Sequence, residues 1–114
     1  MAHGDETILD NGLLRKEVVI ADMSVRGELV EALGAGVAGR VVGGRISSSV
    51  ACTFETFIGS ATKARTKDAP SAGFTMFFSE DDGIVTGQNE AIECKTSVAS
   101  AGVGFVDLLT GTNP

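Results

Sequence analysis

The sequence contains no tryptophan, no tyrosine, one histidine, two cysteines and two prolines in 114 residues. Each shortage removes a class of chemistry. With phenylalanine as the sole aromatic type, there is no tyrosine or tryptophan to stack on bases, and the core must be built mainly from valine, isoleucine, leucine and alanine. One histidine, His3, and two cysteines at positions 52 and 94 with no CxxC spacing cannot assemble a four-ligand zinc set. Those cysteines read as two free buried thiols, or as one disulfide if their strands are neighbours. No stretch approaches the ~18 apolar residues of a membrane span. Positions 1–10 lack the charged and apolar regions of a secretory signal, and the final Thr-Asn-Pro carries no lipidation signal. The expectation is a soluble, intracellular protein, cytoplasmic or part of a virion.

Basic charge is also scarce. Nine Lys and Arg stand against fifteen Asp and Glu, a net charge of −6. Nucleic-acid binders draw most of their affinity from neutralised phosphates and are basic over the domain, so that partner class is not expected. The total conceals blocks. Residues 1–39 carry three basic and seven acidic groups, residues 40–67 five and one, and residues 68–114 one and seven. The basic middle consists of Arg40, Arg45, Lys63, Arg65 and Lys67, set against Glu55.

What is present is a chain of 43% apolar and 21% charged residues, with fifteen glycines. That describes one globular domain. Residues 1–14 read as a flexible arm, with a turn at Asn11-Gly12 and Leu13 and Leu14 as knobs able to dock on a core or partner. Residues 15–109 form the domain, and 110–114 a polar tail. Residues 17–22 (EVVIAD) are a strand. Residues 24–34 are open to two readings. Ser24 can cap a helix over 25–33, with Val25, Leu29 and Leu33 at i, i+4 and i+8 and Gly34 closing it. The alternative is a turn at 24–27 and a strand through Leu29. The helix is narrowly preferred, although Gly27 weakens it by about 1 kcal/mol.

Five glycines between positions 34 and 44 suggest a loop, a bulge or a close backbone approach. Residues 46–58 alternate cleanly and read as one strand, with Ile46, Val50, Cys52, Phe54 and Ile58 inward. Residues 59–73 read as a long polar loop. Residues 73–79 form a strand with Phe74, Met76 and Phe78 inward and Phe77 breaking the pattern. A hairpin at 80–83 leads to residues 84–86, and further strands lie at 91–99 and 103–109. The core anchors expected are Phe54, Phe74, Phe78 and Phe105. The fold class implied is mainly β: a small antiparallel sandwich or barrel with one short helix near 25–33.

No constellation for catalysis emerges. Residues 34–39 match GxGxxG, but residues 40–45, which include Gly43-Gly44, cannot open the helix that would meet a pyrophosphate. Glu80-Asp81-Asp82 lacks the spacing of a calcium loop. Cys52 and Cys94 lie on apolar strand faces where a thiol is inert, and His3 is the lone imidazole. Ser47-Ser48-Ser49 sits in no GxSxG elbow. The chain is therefore expected not to be an enzyme, and to carry no metal or cofactor.

Two resemblances suggest functions. Asp22-Met-Ser24-Val-Arg-Gly27 resembles the DxSxxG signature of PilZ domains, small β-barrels that bind cyclic di-GMP, and residues 102–108 resemble their closing strand. That resemblance implies that Asp22, Ser24 and Gly27 meet the guanine; the family's upstream RxxxR is represented only by Arg15-Lys16. More broadly, a glycine- and alanine-rich β-domain with polar ends resembles virion accessory proteins such as capsid decoration or head–tail joining proteins, an analogy of composition. This second reading is preferred. It predicts a non-catalytic protein that assembles with itself or with a capsid-type partner through the oppositely charged blocks. Arg40, Arg45, Lys63, Arg65 and Lys67 are its expected electrostatic contacts, and Leu13 and Leu14 its docking knobs.

Overall fold

The computed structural model describes residues 3–59 and 62–114, with side chains from residue 6 onward except that of residue 62. The described residues form nine strands: β1 His3–Ile8, β2 Leu14–Ile20, β3 Gly27–Val30, β4 Ala38–Ser48, β5 Cys52–Ile58, β6 Thr62–Ala69, β7 Thr75–Phe77, β8 Ile92–Thr96 and β9 Gly102–Gly111. They make two antiparallel sheets, ordered β1-β2-β9-β4-β7 and β3-β8-β5-β6. The expected mainly β sandwich is what forms.

The core follows the alternation in the sequence. Leu14, Val18, Val41, Ile46, Met76, Phe78, Val106 and Leu108 of the five-stranded sheet and its edge meet Leu29, Val30, Phe54, Ile92 and Cys94 of the four-stranded sheet. Phe54 and Phe78 touch edge to face at 6.0 Å between ring centres, a geometry the ring quadrupoles favour. Phe54 and Phe78 are thus core anchors as expected. Phe105 is half-buried on the outer face, and Phe74 is exposed.

Several elements differ from expectation, each for an identifiable reason. No helix forms over residues 25–33. Gly27–Val30 pairs with β8, and a register shift between Glu28 and Val30 lets the adjacent Leu29 and Val30 both be buried. The i, i+4 pattern is incidental, since Val25 is exposed, and tertiary burial overrides a weak helix propensity. Residues 46–58 are two strands in different sheets. A bend at 49–51 separates them, and even-numbered residues face inward within each strand, so the alternation hides the break; Val50, expected inward, sits in the bend and is exposed. Ser48 Oγ donates to the Val50 carbonyl at 2.6 Å and sets that bend.

The polar stretch 59–73 contains β6 rather than only a loop. Lysine, arginine and threonine suit an edge strand with a single neighbour. The expected hairpin at 80–83 is absent too. β7 and Val85 both pair with β4, at Arg45–Ser47 and at Arg40, so the short 3₁₀ turn Glu80–Asp82 is an excursion along one sheet edge. Of the first fourteen residues, His3–Ile8 forms an edge strand returning to β2 through residues 9–13. Leu14, expected as a docking knob, is buried in the core, because the strand places it opposite Leu108.

The glycine-rich stretch is mostly strand as well. β4 runs through Gly39, Gly43 and Gly44 beside β9, with a shift between Val41 and Gly43. Gly44 has φ +128°, and a Cβ there would lie 2.5 Å from the Phe105 carbonyl oxygen. Close approach and positive φ both demand glycine. Gly44→Ala is therefore expected to cost about 2–4 kcal/mol, read as a lower urea midpoint with an unchanged slope.

Candidate functional site

The strongest candidate surface is the outer face of the five-stranded sheet. Directly opposed residues in antiparallel pairs share a face, so the registers lay out its rows. One row is Val19, Val103, Ser47 and Thr75; the next is Glu17, Phe105, Arg45 and Phe77; beside these lies the Arg15–Asp107 pair, then Leu109 and Arg40. Four of these side chains are large, apolar and exposed: Phe77 at 67%, Val103 at 56%, Val19 at 48% and Leu109 at 43%.

Charge on this face is organised around Phe105. The Arg15 guanidinium stacks on its ring at 3.9 Å and clasps Asp107 with two hydrogen bonds, at 2.8 and 3.0 Å. That carboxylate, chiefly through the hydrogen bond, raises the Arg15 pKa above its ordinary value. Arg45 lies 5.4 Å from the same ring and is exposed. Among the described residues no carboxylate forms an ion pair with Arg45 or Arg40. Arg40 donates to the Pro114 carbonyl at 3.3 Å.

The outer face of the four-stranded sheet differs in kind. Its registers align Glu28, Glu93, Lys63, Glu55, Lys95 and Asp68. Arg26 pairs with Glu93 and roofs the Phe57 ring at 3.9 Å, and Lys63 pairs with Glu55. This is a charged surface on which two ion pairs form, while Glu28 and Lys95 have no ion-pair partner among the described residues.

The predicted basic residues therefore separate. Arg40 and Arg45 share the apolar face, with half-buried Leu13 immediately before β2. Lys63 is on the opposite face. Arg65 and Lys67 stand opposite Thr56 and Phe54, whose side chains are buried, so they point between the sheets at the open edge beside β7. There both reach Asp82. Lys67 Nζ is 2.9 Å and Arg65 Nε 3.4 Å from its carboxylate, and the Ser79 N–H donates to it at 3.0 Å. The Asp82 side chain is 6% exposed and that of Arg65 51%. Asp82 thus serves the fold, and the acidic triplet 80–82 does not gather into a metal site; no group of three or more candidate ligands occurs among the described residues.

The remaining sequence candidates have local roles. Asp22 Oδ1 accepts from the N–H and hydroxyl of Ser24, at 2.9 and 2.6 Å, which closes the turn between β2 and β3 and holds the Asp22 carboxyl below its usual range. Gly27 of the same signature opens β3. The GxGxxG stretch becomes a turn at 34–37 leading into β4. The side chain of His3 lies outside the described residues. Cys52 and Cys94 are free thiols, Cys52 lying 3.2 Å from Ser48 Oγ. Of the outer-face residues, Val19, Val103 and Leu109 are not singled out by sequence reasoning, and Phe77 stands out there only as breaking the inward pattern of its strand. A signal for them exists: each is apolar at a position whose strand neighbours on both sides face inward.

Comparison with family models, curated proteins and solved structures finds no match to this chain.

Two measurements test these assignments. Asp82→Ala strands two cations and an N–H at the open edge, and is expected to lower stability by about 1–3 kcal/mol in urea titration. Burial pushes the Cys94 thiol up to about 12 from 9.0. Between those values the folded thiol keeps its proton while the unfolded one releases it, so stability falls as pH rises through that window. Native Cys94 is expected to resist iodoacetamide at neutral pH, and Cys94→Ala to show a smaller alkaline loss of stability.

Proposed function

We propose that this chain is a non-catalytic assembly protein that works through protein–protein contacts, and that the outer face of its five-stranded sheet is the contact. The observation that carries this reading is the difference between the two outer faces. One is dominated by charged side chains, two pairs of which bridge; the other leaves Phe77, Val103, Val19 and Leu109 open beside two arginines that have no carboxylate partner among the described residues. Contiguous exposed apolar surface marks interaction sites, and aromatic residues with arginine are the types enriched at interface centres. Within this reading a virion accessory role, as a decoration or joining protein in contact with its own copies or a capsid-type partner, fits the glycine-rich β composition.

The test is sedimentation velocity over a range of concentrations and with salt varied, on the wild type and on Val103→Glu. Val103 is exposed, so the charge should leave folding intact. The wild type is expected to self-associate and Val103→Glu to weaken that association at least about tenfold, or 1.4 kcal/mol. Lys95→Glu, on the opposite face, is the control and should behave as wild type. A wild type that stays monomeric at every concentration and salt overturns self-assembly.

A further inference from the structure

Sheet edges carry unpaired backbone donors and acceptors and are natural templates for another strand. Of the four edge strands here, three carry safeguards. β1 has a register irregularity between His3 and Glu6, and β3 has one between Glu28 and Val30. β6 carries two lysines and an arginine, with an irregularity in its pairing to β5. β7 has no charge, no proline and no bulge; only its shortness limits it.

The outward groups of β7 are set by its ladder. Ser48 N–H donates to the Phe74 carbonyl and Phe78 N–H to the Gly44 carbonyl, at 3.0 and 2.9 Å. Pairs alternate between bonded and non-bonded along an antiparallel ladder, so Met76 is the bonded residue between them. The N–H and C=O of Thr75 and Phe77 point away from β4, and no hydrogen bond among the described residues reaches them. They open onto a groove of about 320 Å³ between β7 and β6, whose walls include Phe74, Phe77, Arg65 and Lys67. Asp82 is held at short range by Lys67 and the Ser79 N–H. Arg65, at 3.4 Å and half-exposed, adds a second cation to one carboxylate. Asp68 also lines the groove, but its carboxylate accepts from Thr53 Oγ1 on the outer face of the four-stranded sheet. The side of the groove that faces between the sheets therefore sets Arg65 and Lys67 against Asp82 alone, while its outward side is the Phe77 ring.

We propose that the β7 edge accepts an extended segment of a partner protein as a sixth strand of the sheet. The segment carries a carboxylate on its inward side, facing Arg65, and an apolar residue on its outward side, against Phe77. Main-chain hydrogen bonds to Thr75 and Phe77 supply register, and alternate side chains supply selectivity. The inference rests on the contact reading above and names the chemistry of the partner, since Phe77 belongs to both the apolar face and this edge.

The probe is a blocked peptide of alternating valine and aspartate, Ac-VDVDVD-NH2, added to the full chain, with amide hydrogen exchange as the readout. The expected result is at least about tenfold slower exchange at Thr75 and Phe77. That slowing should vanish when lysine replaces aspartate or when alternate peptide amides are methylated. Thr75→Pro removes an outward donor that β4 does not use, so it should keep the fold and lose peptide binding. Unchanged exchange with the aspartate peptide overturns the proposal, as does protection of Thr66 and Asp68 on β6 instead. Equal protection by the lysine peptide overturns the carboxylate requirement. Concentration-dependent protection in the protein alone overturns it in favour of a second copy. A monomeric wild type whose Thr75 and Phe77 amides are protected by the peptide sinks the self-assembly reading and leaves this one standing. An assembling chain with fast exchange at both amides does the reverse.

Discussion

Everything in the five-stranded sheet hangs on the close approach of β4 to β9. The two strands pair from Ala38–Gly111 to Ser48–Gly102, and β9 pairs along its other side with β2. At Gly44 there is no room for a Cβ against the Phe105 carbonyl, and at Gly104 the same holds against the Arg45 carbonyl. These two glycines bring Arg45 and Phe105 into one row, which in turn sets Phe77 at its end. The glycine composition and the apolar outer face are therefore one fact rather than two. A sequence without those glycines would push β4 away from β9 and dissolve the row of side chains that the functional reading depends on.

The sandwich was legible in the sequence because its strands alternate and its turns are marked. The strands read at 91–99 and 103–109 needed no tertiary information, although the first ends at Thr96 rather than 99. Failures came where local pattern and long-range pairing diverge. A strand that bends from one sheet into the other keeps its parity across Ser48 and Cys52, so nothing in the alternation reports the bend. An edge strand such as β6 needs little apolar content and reads as a loop. A bulge that buries Leu29 beside Val30 mimics helical spacing. The candidate face was half legible: Arg40, Arg45 and Leu13 came from charge and hydropathy. Arg65 and Lys67 were flagged as contacts without any means of knowing that Asp82 lies between the sheets beside them, a pairing fixed only when β6 and the 3₁₀ turn meet.

The polar interior shows how the open end of the sandwich is closed. Ser48 and Ser100 share a hydrogen bond of 2.6 Å where β4 leaves its sheet, Ser49 Oγ accepts from the Ala101 N–H at 2.8 Å, and Met23 N–H donates to the Ser100 carbonyl at 2.8 Å. Buried hydroxyls are tolerable because each finds a partner. At the other seam, which stays open beside β7, the Asp82 cluster pairs its buried carboxylate with Lys67 and Arg65. Inward-pointing charges at a sheet edge discourage lateral pairing, which leaves the β7 edge of the other sheet as the less defended one.

The connections carry one more consequence. Six of the eight links between successive strands pass from one sheet to the other; only β1–β2 and β5–β6 are local hairpins. Neither sheet is therefore a stretch of chain that can form by itself. β9, the last of the nine strands among the described residues, pairs with β2 and β4, so the five-stranded sheet has no middle until β9 joins it. Such a topology has high contact order, which places folding in the slow millisecond-to-second range of small domains. It also means that a ribosome-bound chain would expose the apolar inner faces of β2 and β4 until β9 emerges.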